Sequence, residues 1–124
     1  MSKFLLGVFL TFISLQSFSA TVKSVELDEQ KENLLIGVVY GGGCGNHEFS
    51  LKLGSCLETY PVQCSAELIE QTDDTCEALI YNTITIPLSK YNLSDSYFKG
   101  GTLRITGDLD WKTNQPSQAS IQLP

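Results

Sequence analysis

His47 stands three residues after Cys44, in the Cys-x-x-His pattern that a nucleophile with its base, or a pair of metal ligands, would use. Both chemistries need a free thiolate. His47 is the only histidine, and the four cysteines form an even set that disulfides would consume. A zinc site would therefore lack its remaining ligands. His47 falls on the apolar side of an alternating segment. It is expected as a strand-end imidazole that bonds backbone or caps the core. No Gly-x-Ser-x-Gly elbow is present, and Gly54-Ser55-Cys56 is not one. Asp108 and Asp110 have the same parity and could pair as general acid and base. They follow Gly107 in a polar stretch, where turn-forming aspartate is the commoner use. Asp73, Asp74 and Glu77 gather oxygen ligands of the kind calcium takes, but without the EF-hand spacing. They read as a solvated turn. No catalytic residue, metal or cofactor is expected, and the chain does not read as an enzyme.

"CLETYPVQC", residues 56 to 64, offers binding rather than catalysis. If Cys56 and Cys64 join, Leu57, Glu58, Thr59, Tyr60 and Pro61 form a crosslinked interaction loop. The ring resembles the reactive ring of Bowman–Birk serine-protease inhibitors, nine residues with Cys at both ends and Pro at the sixth place, here Pro61. The resemblance implies that Glu58, at the third place, enters the protease pocket and that Thr59 follows the scissile bond. A crosslinked, proline-bearing loop loses little entropy on docking. Leu57 departs from the bracing Thr of that family, and Val62 from a second Pro. The plainer reading is a staple across a hairpin end.

Positioning these residues depends on the crosslinks. The cysteines are spaced C-x11-C-x7-C-x11-C, which allows three pairings. Joining Cys44 to Cys56 would destroy the strand suggested by "HEFSLKL", since twelve extended steps span up to about 40 Å and a disulfide needs α-carbons within about 7 Å. The interleaved pairing needs residue-number sums of 108 and 132, which one hairpin cannot satisfy together. The nested pairing, Cys44–Cys76 with Cys56–Cys64, gives 120 for both bonds. That register opposes Leu51 to Ile69 but sets Leu53 against Glu67, with Ala66 and Leu68 on the other face. Either a β-bulge lies between the bridges or the strand buries residues on both sides.

The rest of the chain is β-rich. Thr21 to Leu27 reads as a strand, and Leu34 to Tyr40 as a central strand covered on both faces. Gly41-Gly42-Gly43 interrupts the chain. His47 to Leu53 alternates, and Val62 to Glu70 and Glu77 to Ile86 follow as strands. Pro87 closes the last of these. Leu88, Tyr91 and Phe98 suggest one helical turn plugging the core. Thr102 to Gly107 is a sixth strand, and Ala119 to Leu123 a seventh, with "DLDWKTNQPSQ" as a polar loop between them. Tyr91, Tyr97, Phe98 and Trp111 read as core or as an aromatic patch. Asn92-Leu93-Ser94 fits a glycan acceptor in a eukaryotic host. Six to seven short strands indicate an antiparallel β-sandwich, immunoglobulin-like in outline, or a small barrel.

The arrangement "YGGGCGNHEFSL … DDTCEALI … IPLS" is similar to a Gly-Gly-Cys-x-x-His-x-Phe and Asp-x-Cys-Glu-Ala pattern in small secreted bacterial proteins of unassigned function. The resemblance covers roughly residues 38 to 89. It implies a shared β fold, supports joining Cys44 to Cys76, and implies no reaction.

Composition sets the compartment. Met1-Ser2-Lys3, the apolar run Phe4 to Leu15 and the small residues Ser17 to Ala20 have the layout of a secretory signal over residues 1–20. The run is shorter than the ~20 residues needed to span a bilayer. Residues 21–124 then make one domain. Losing Lys3 leaves seven basic against fourteen acidic residues, a net charge of −7. Such a domain repels nucleic acid and anionic lipid. The expected protein is periplasmic or secreted, stapled by disulfides, and non-enzymatic. It would bind a protein partner, with no nucleic acid and no membrane insertion. A serine-protease inhibitor and a purely structural envelope domain are the alternatives.

Overall fold

The computed structural model describes residues 20–110 and 112–124. Residues 1–19, on which the expected signal segment falls, and Trp111 lie outside the described residues. Among the described residues no helix is long and apolar enough to cross a membrane.

Among the described residues seven strands form two packed sheets, so the architecture is a β-sandwich. β1 (Thr21–Leu27), β2 (Asn33–Gly42) and β5 (Ala78–Pro87) make one sheet in the order β1-β2-β5. β3 (His47–Leu57), β4 (Gln63–Thr72), β6 (Thr102–Asp110) and β7 (Gln115–Gln122) make the other in the order β3-β4-β6-β7. Neighbouring strands run antiparallel except β4 and β6, which pair in parallel. A parallel pair needs a long crossover. The segment between β5 and β6 supplies it, with 3₁₀ turns at Leu88–Tyr91 and Ser96–Phe98. Two short turns thus replace the single one expected. They do plug the core: Leu88 and Leu93 are buried, and Tyr91 and Phe98 pack against the same cluster.

β2 is central in its sheet, as its apolar run requires. Leu34, Ile36 and Val38 face the other sheet, and Val39 on the opposite face is buried as well. Gly41 and Gly42 extend this strand rather than interrupting it, pairing with Leu79 and Ala78. β7 begins at Gln115, so most of the expected polar loop is a β6–β7 hairpin. β1 closes the sandwich towards this hairpin. The Val22 N–H donates to Ser117 Oγ at 3.0 Å, and the Asp108 N–H donates to the Ala20 carbonyl at 2.9 Å. Ala20, at the end of the expected signal segment, belongs to the buried core.

Both disulfides are nested: Cys44–Cys76 and Cys56–Cys64. The register conflict is resolved by a bulge. From His47↔Thr72 to Leu53↔Ala66 the numbers sum to 119, and Cys56↔Cys64 restores 120 after a shift between Leu53 and Cys56. Leu51 therefore faces Leu68 instead of Ile69, and both are buried. One extra residue on β3 reconciles the core-facing row with the crosslink.

Candidate functional site

The two ends of the sandwich carry different chemistry. At one end β3 and β4 close into the crosslinked ring. Their ladder runs on through Cys56↔Cys64 to Leu57↔Gln63, so the ring is the tip of a hairpin. Tyr60 is 100% exposed and Leu57 is 63% exposed. Thr59 Oγ1 donates to the Pro61 carbonyl at 2.8 Å within the ring. The Tyr97 hydroxyl donates to Glu58 Oε2 at 2.9 Å, which raises the tyrosine pKa because the carboxylate accepts the phenolic proton. Tyr97 in turn stands edge-on to Phe98, ring centres 4.9 Å apart. Val62 anchors the base of the ring in the core, and its carbonyl accepts from the Thr102 N–H at 2.9 Å.

At the other end His47 is clamped between two carboxylates. Its Nδ1 meets Glu70 Oε2, and its Nε2 lies 2.8 Å from Asp74 Oδ2. The three side chains are 7%, 2% and 0% exposed for His47, Glu70 and Asp74. Burial comes from the alternation. Cys64, Ala66, Leu68 and Glu70 share the inward row of β4. Glu70 pairs with Phe49, so it meets His47 diagonally on that face. Tyr40 covers the imidazole from β2, ring centres 4.6 Å apart, and also packs on Phe49.

Asp74 is not the solvated turn that its acidic neighbours suggest. Its Oδ2 accepts the N–H groups of Cys44 at 2.9 Å and Gly45 at 3.0 Å, and its Oδ1 accepts that of Cys76 at 2.9 Å. These backbone donors, Cys44 foremost, hold its carboxyl well below the usual range. One carboxylate thus ties together the loops on either side of the outer disulfide. Asp73 and Glu77 are exposed. Burial pushes the Glu70 carboxyl up, against the pull of His47. Desolvation opposes the charge on His47, but its bonds to Asp74 and Glu70 outweigh it and raise the imidazole above its ordinary value. An ionised carboxylate only accepts hydrogen bonds. An imidazole facing one at each nitrogen is therefore stabilised with both nitrogens protonated. Of the two expected roles, bonding backbone or capping the core, the first is replaced: His47 bonds carboxylates.

No protein-family model, no curated protein and no solved structure matches the chain.

The remaining sequence candidates separate. Cys44 Sγ, Cys76 Sγ and an Asp74 oxygen lie close together, but the two sulfurs are bonded to each other and offer no thiolate. Asp108 and Asp110 sit on β6 rather than in a loop. Asp110 lies 3.5 Å from Lys23 Nζ, a surface ion pair. Glu70 escaped sequence reading, although its parity with Ala66 and Leu68 carries the signal: a lone acid on an apolar row needs a partner. A cleft of about 820 Å³ opens beside the clamp, lined by Val39, Tyr40, Glu70, Asp74, Leu79 and Tyr81 among others.

Proposed function

We propose that the chain is an exported, non-enzymatic binding domain that meets a protein partner through the tip of the Cys56–Cys64 ring. The observation that carries this reading is Tyr60, an aromatic side chain wholly in water on a loop closed by a disulfide. Leu57 beside it is also exposed, and Glu58 is braced by Tyr97. Aromatic anchors dominate protein interfaces when their pockets close around them. A loop held by a crosslink gives up less freedom on docking. The two disulfides suit an oxidising, exported compartment. The clamp on His47 supports a non-enzymatic reading, because both ring nitrogens are engaged and neither is free to accept a proton from a substrate.

The test compares proteins retained from an exported-fraction extract by the mature wild type, by a Leu57→Ser/Tyr60→Ser double variant, and by a Tyr81→Ala control at the opposite end. The reading expects a partner that the wild type and the control retain and the double variant loses, with unchanged thermal unfolding. A partner retained equally by all three, or no partner for the wild type, would favour a purely structural domain.

A further inference from the structure

β5 is an open edge. Among the described residues it pairs with β2 alone. Its register on β2 has no shift from Asn33↔Pro87 to Gly42↔Ala78, and the Leu88 N–H continues it by donating to the Glu32 carbonyl at 2.9 Å. Antiparallel partners alternate between pairs that exchange hydrogen bonds and pairs that do not. The Leu88–Glu32 bond therefore turns the backbone groups of Ile86, Ile84, Asn82 and Ile80 towards β2. Those of Leu79, Tyr81, Thr83 and Thr85 are left pointing away from the sheet. Thr83 agrees with this, since its N–H donates to Oδ1 of neighbouring Asn82 at 2.8 Å instead of to β2.

Such a row is a template for another strand, and native edges are commonly blunted by charge, bulges or cover. The other edges have these guards. β1 is joined to β7 across one corner by the Val22–Ser117 bond. β3 carries exposed Glu48 and Lys52 as well as its bulge. β5 has no charged residue from Ala78 to Pro87 and no bulge. Leu79 and Tyr81 are 55% and 72% exposed on its outer face. On the inner face Ile80 and Ile84 are only half-buried.

A second copy of the chain fits this edge. Two identical strands paired antiparallel are related by a two-fold axis, so the edge is complementary to itself. Charge points the same way. The chain has a net charge of −6, so copies repel one another, and an uncharged strand is where they approach at least cost.

We propose that two copies pair antiparallel through β5, about a two-fold axis at Asn82, joining their three-stranded sheets into one. This is the register that sets Ile80 against Ile84 of the second copy on the inner face. Tyr81 then bonds Thr83 of the second copy, and Leu79 bonds its Thr85, which places an aromatic ring and a leucine beside β-branched side chains. Thr83 exchanges its bond to Asn82 for the interstrand one. Glu77 falls opposite Pro87 of the second copy and not opposite another acid. The pairing uses no residue of the 56–64 ring and stands or falls apart from it.

Sedimentation velocity of the mature protein is the test. The expected result is a monomer–dimer equilibrium between micromolar and millimolar concentration. Asn82→Lys, at an exposed position, sets like charges opposite each other across the axis. It should raise the dissociation constant about fivefold, from the repulsion of two unit charges about 4 Å apart in water. Gln118→Lys on β7 adds the same charge away from the axis and should not weaken pairing. Thr83→Pro removes an outward donor at both symmetry-related places, where an edge strand tolerates proline, and should weaken pairing about tenfold or more. Asn82→Cys lies at a pair without hydrogen bonds, where α-carbons approach to about 4.5 Å, and should crosslink into a dimer on oxidation. Thr85→Cys, opposite Leu79 of the second copy, should not. A protein that stays monomeric at millimolar concentration would overturn the proposal. So would a dimer indifferent to Asn82→Lys, or Asn82→Cys crosslinking no faster than Thr85→Cys; these variants keep the test decisive even if Thr83→Pro does not fold.

Discussion

Nε2 of His47 and Oδ2 of Asp74 lie 2.8 Å apart, and the backbone of Gly42 packs directly against that bond. A β-carbon at Gly42 would stand 2.6 Å from Nε2 and 2.9 Å from Oδ2. The middle glycine of Gly41-Gly42-Gly43 is thus required by close approach rather than by backbone freedom. His47, Asp74 and the Cys44–Cys76 bridge form one knot that joins β2, β3, β4 and β5 at this end of the sandwich.

Gly42→Ala is expected to destabilise the fold by about 2 kcal/mol, the cost of forcing atoms into a filled site. Gly41→Ala is the control, because a β-carbon there meets nothing within 4 Å. Urea unfolding of the two variants checks the difference. Equal midpoints would show that the His47–Asp74 pair does not pack on Gly42.

His47→Ala leaves two buried carboxylates facing each other without their cation. A loss of roughly 3 kcal/mol is expected near neutral pH. The wild-type advantage should depend on pH. His47 has a folded pKa raised above its ordinary 6.5, so its contribution is complete below 6.5 and is lost as pH rises through the folded value. Asp74 behaves oppositely. Its lowered pKa contributes stability above its ordinary 3.8, and that stability fades as pH falls below it. Unfolding midpoints of wild type and His47→Ala, taken from pH 5 to 10, should converge towards the alkaline end. A constant gap would mean that the imidazole is not held as a cation.

Removing the outer disulfide should cost more than removing the inner one. The bridges span sequence separations of 32 and 8. Chain entropy assigns them roughly 3.7 and 2.6 kcal/mol. Cys44 and Cys76 also present backbone donors to Asp74, so losing their bond loosens the clamp. Thermal unfolding of Cys44→Ala/Cys76→Ala and of Cys56→Ala/Cys64→Ala gives the ranking, and a less stable inner-bridge variant would refute it.

The mature protein is not expected to inhibit a Glu-specific serine protease tightly. Glu58, the side chain that would have to enter the protease pocket, is held by the Tyr97 hydroxyl at 2.9 Å. Withdrawing it would forfeit that bond. Titration of the protease with wild type and Tyr97→Phe decides the matter. Tight inhibition that Glu58→Ala abolishes would restore the inhibitor reading.

Strand periodicity, the apolar run of β2 and the cysteine spacing determined the class of fold and the nested crosslinks, because alternation and loop geometry act over short stretches of chain. The same local rules left two outcomes open, a bulge between the bridges or a strand burying residues on both sides, and β3 and β4 choose the bulge, between Leu53 and Cys56. They failed where a residue's partner lies on another strand. The run after Gly107 is polar, and only pairing of β6 with β7 makes a hairpin of it. The parallel pairing of β4 with β6 likewise has no local signature. The acidic turn at Asp73 and Asp74 looked solvated because sequence gives charge and not burial. Folding brings Asp74 against three backbone donors and an imidazole 27 residues away, and Glu70 against the same ring from 23 residues away. Ionised groups can be buried when their partners arrive with them, and that arrival is a property of the tertiary structure.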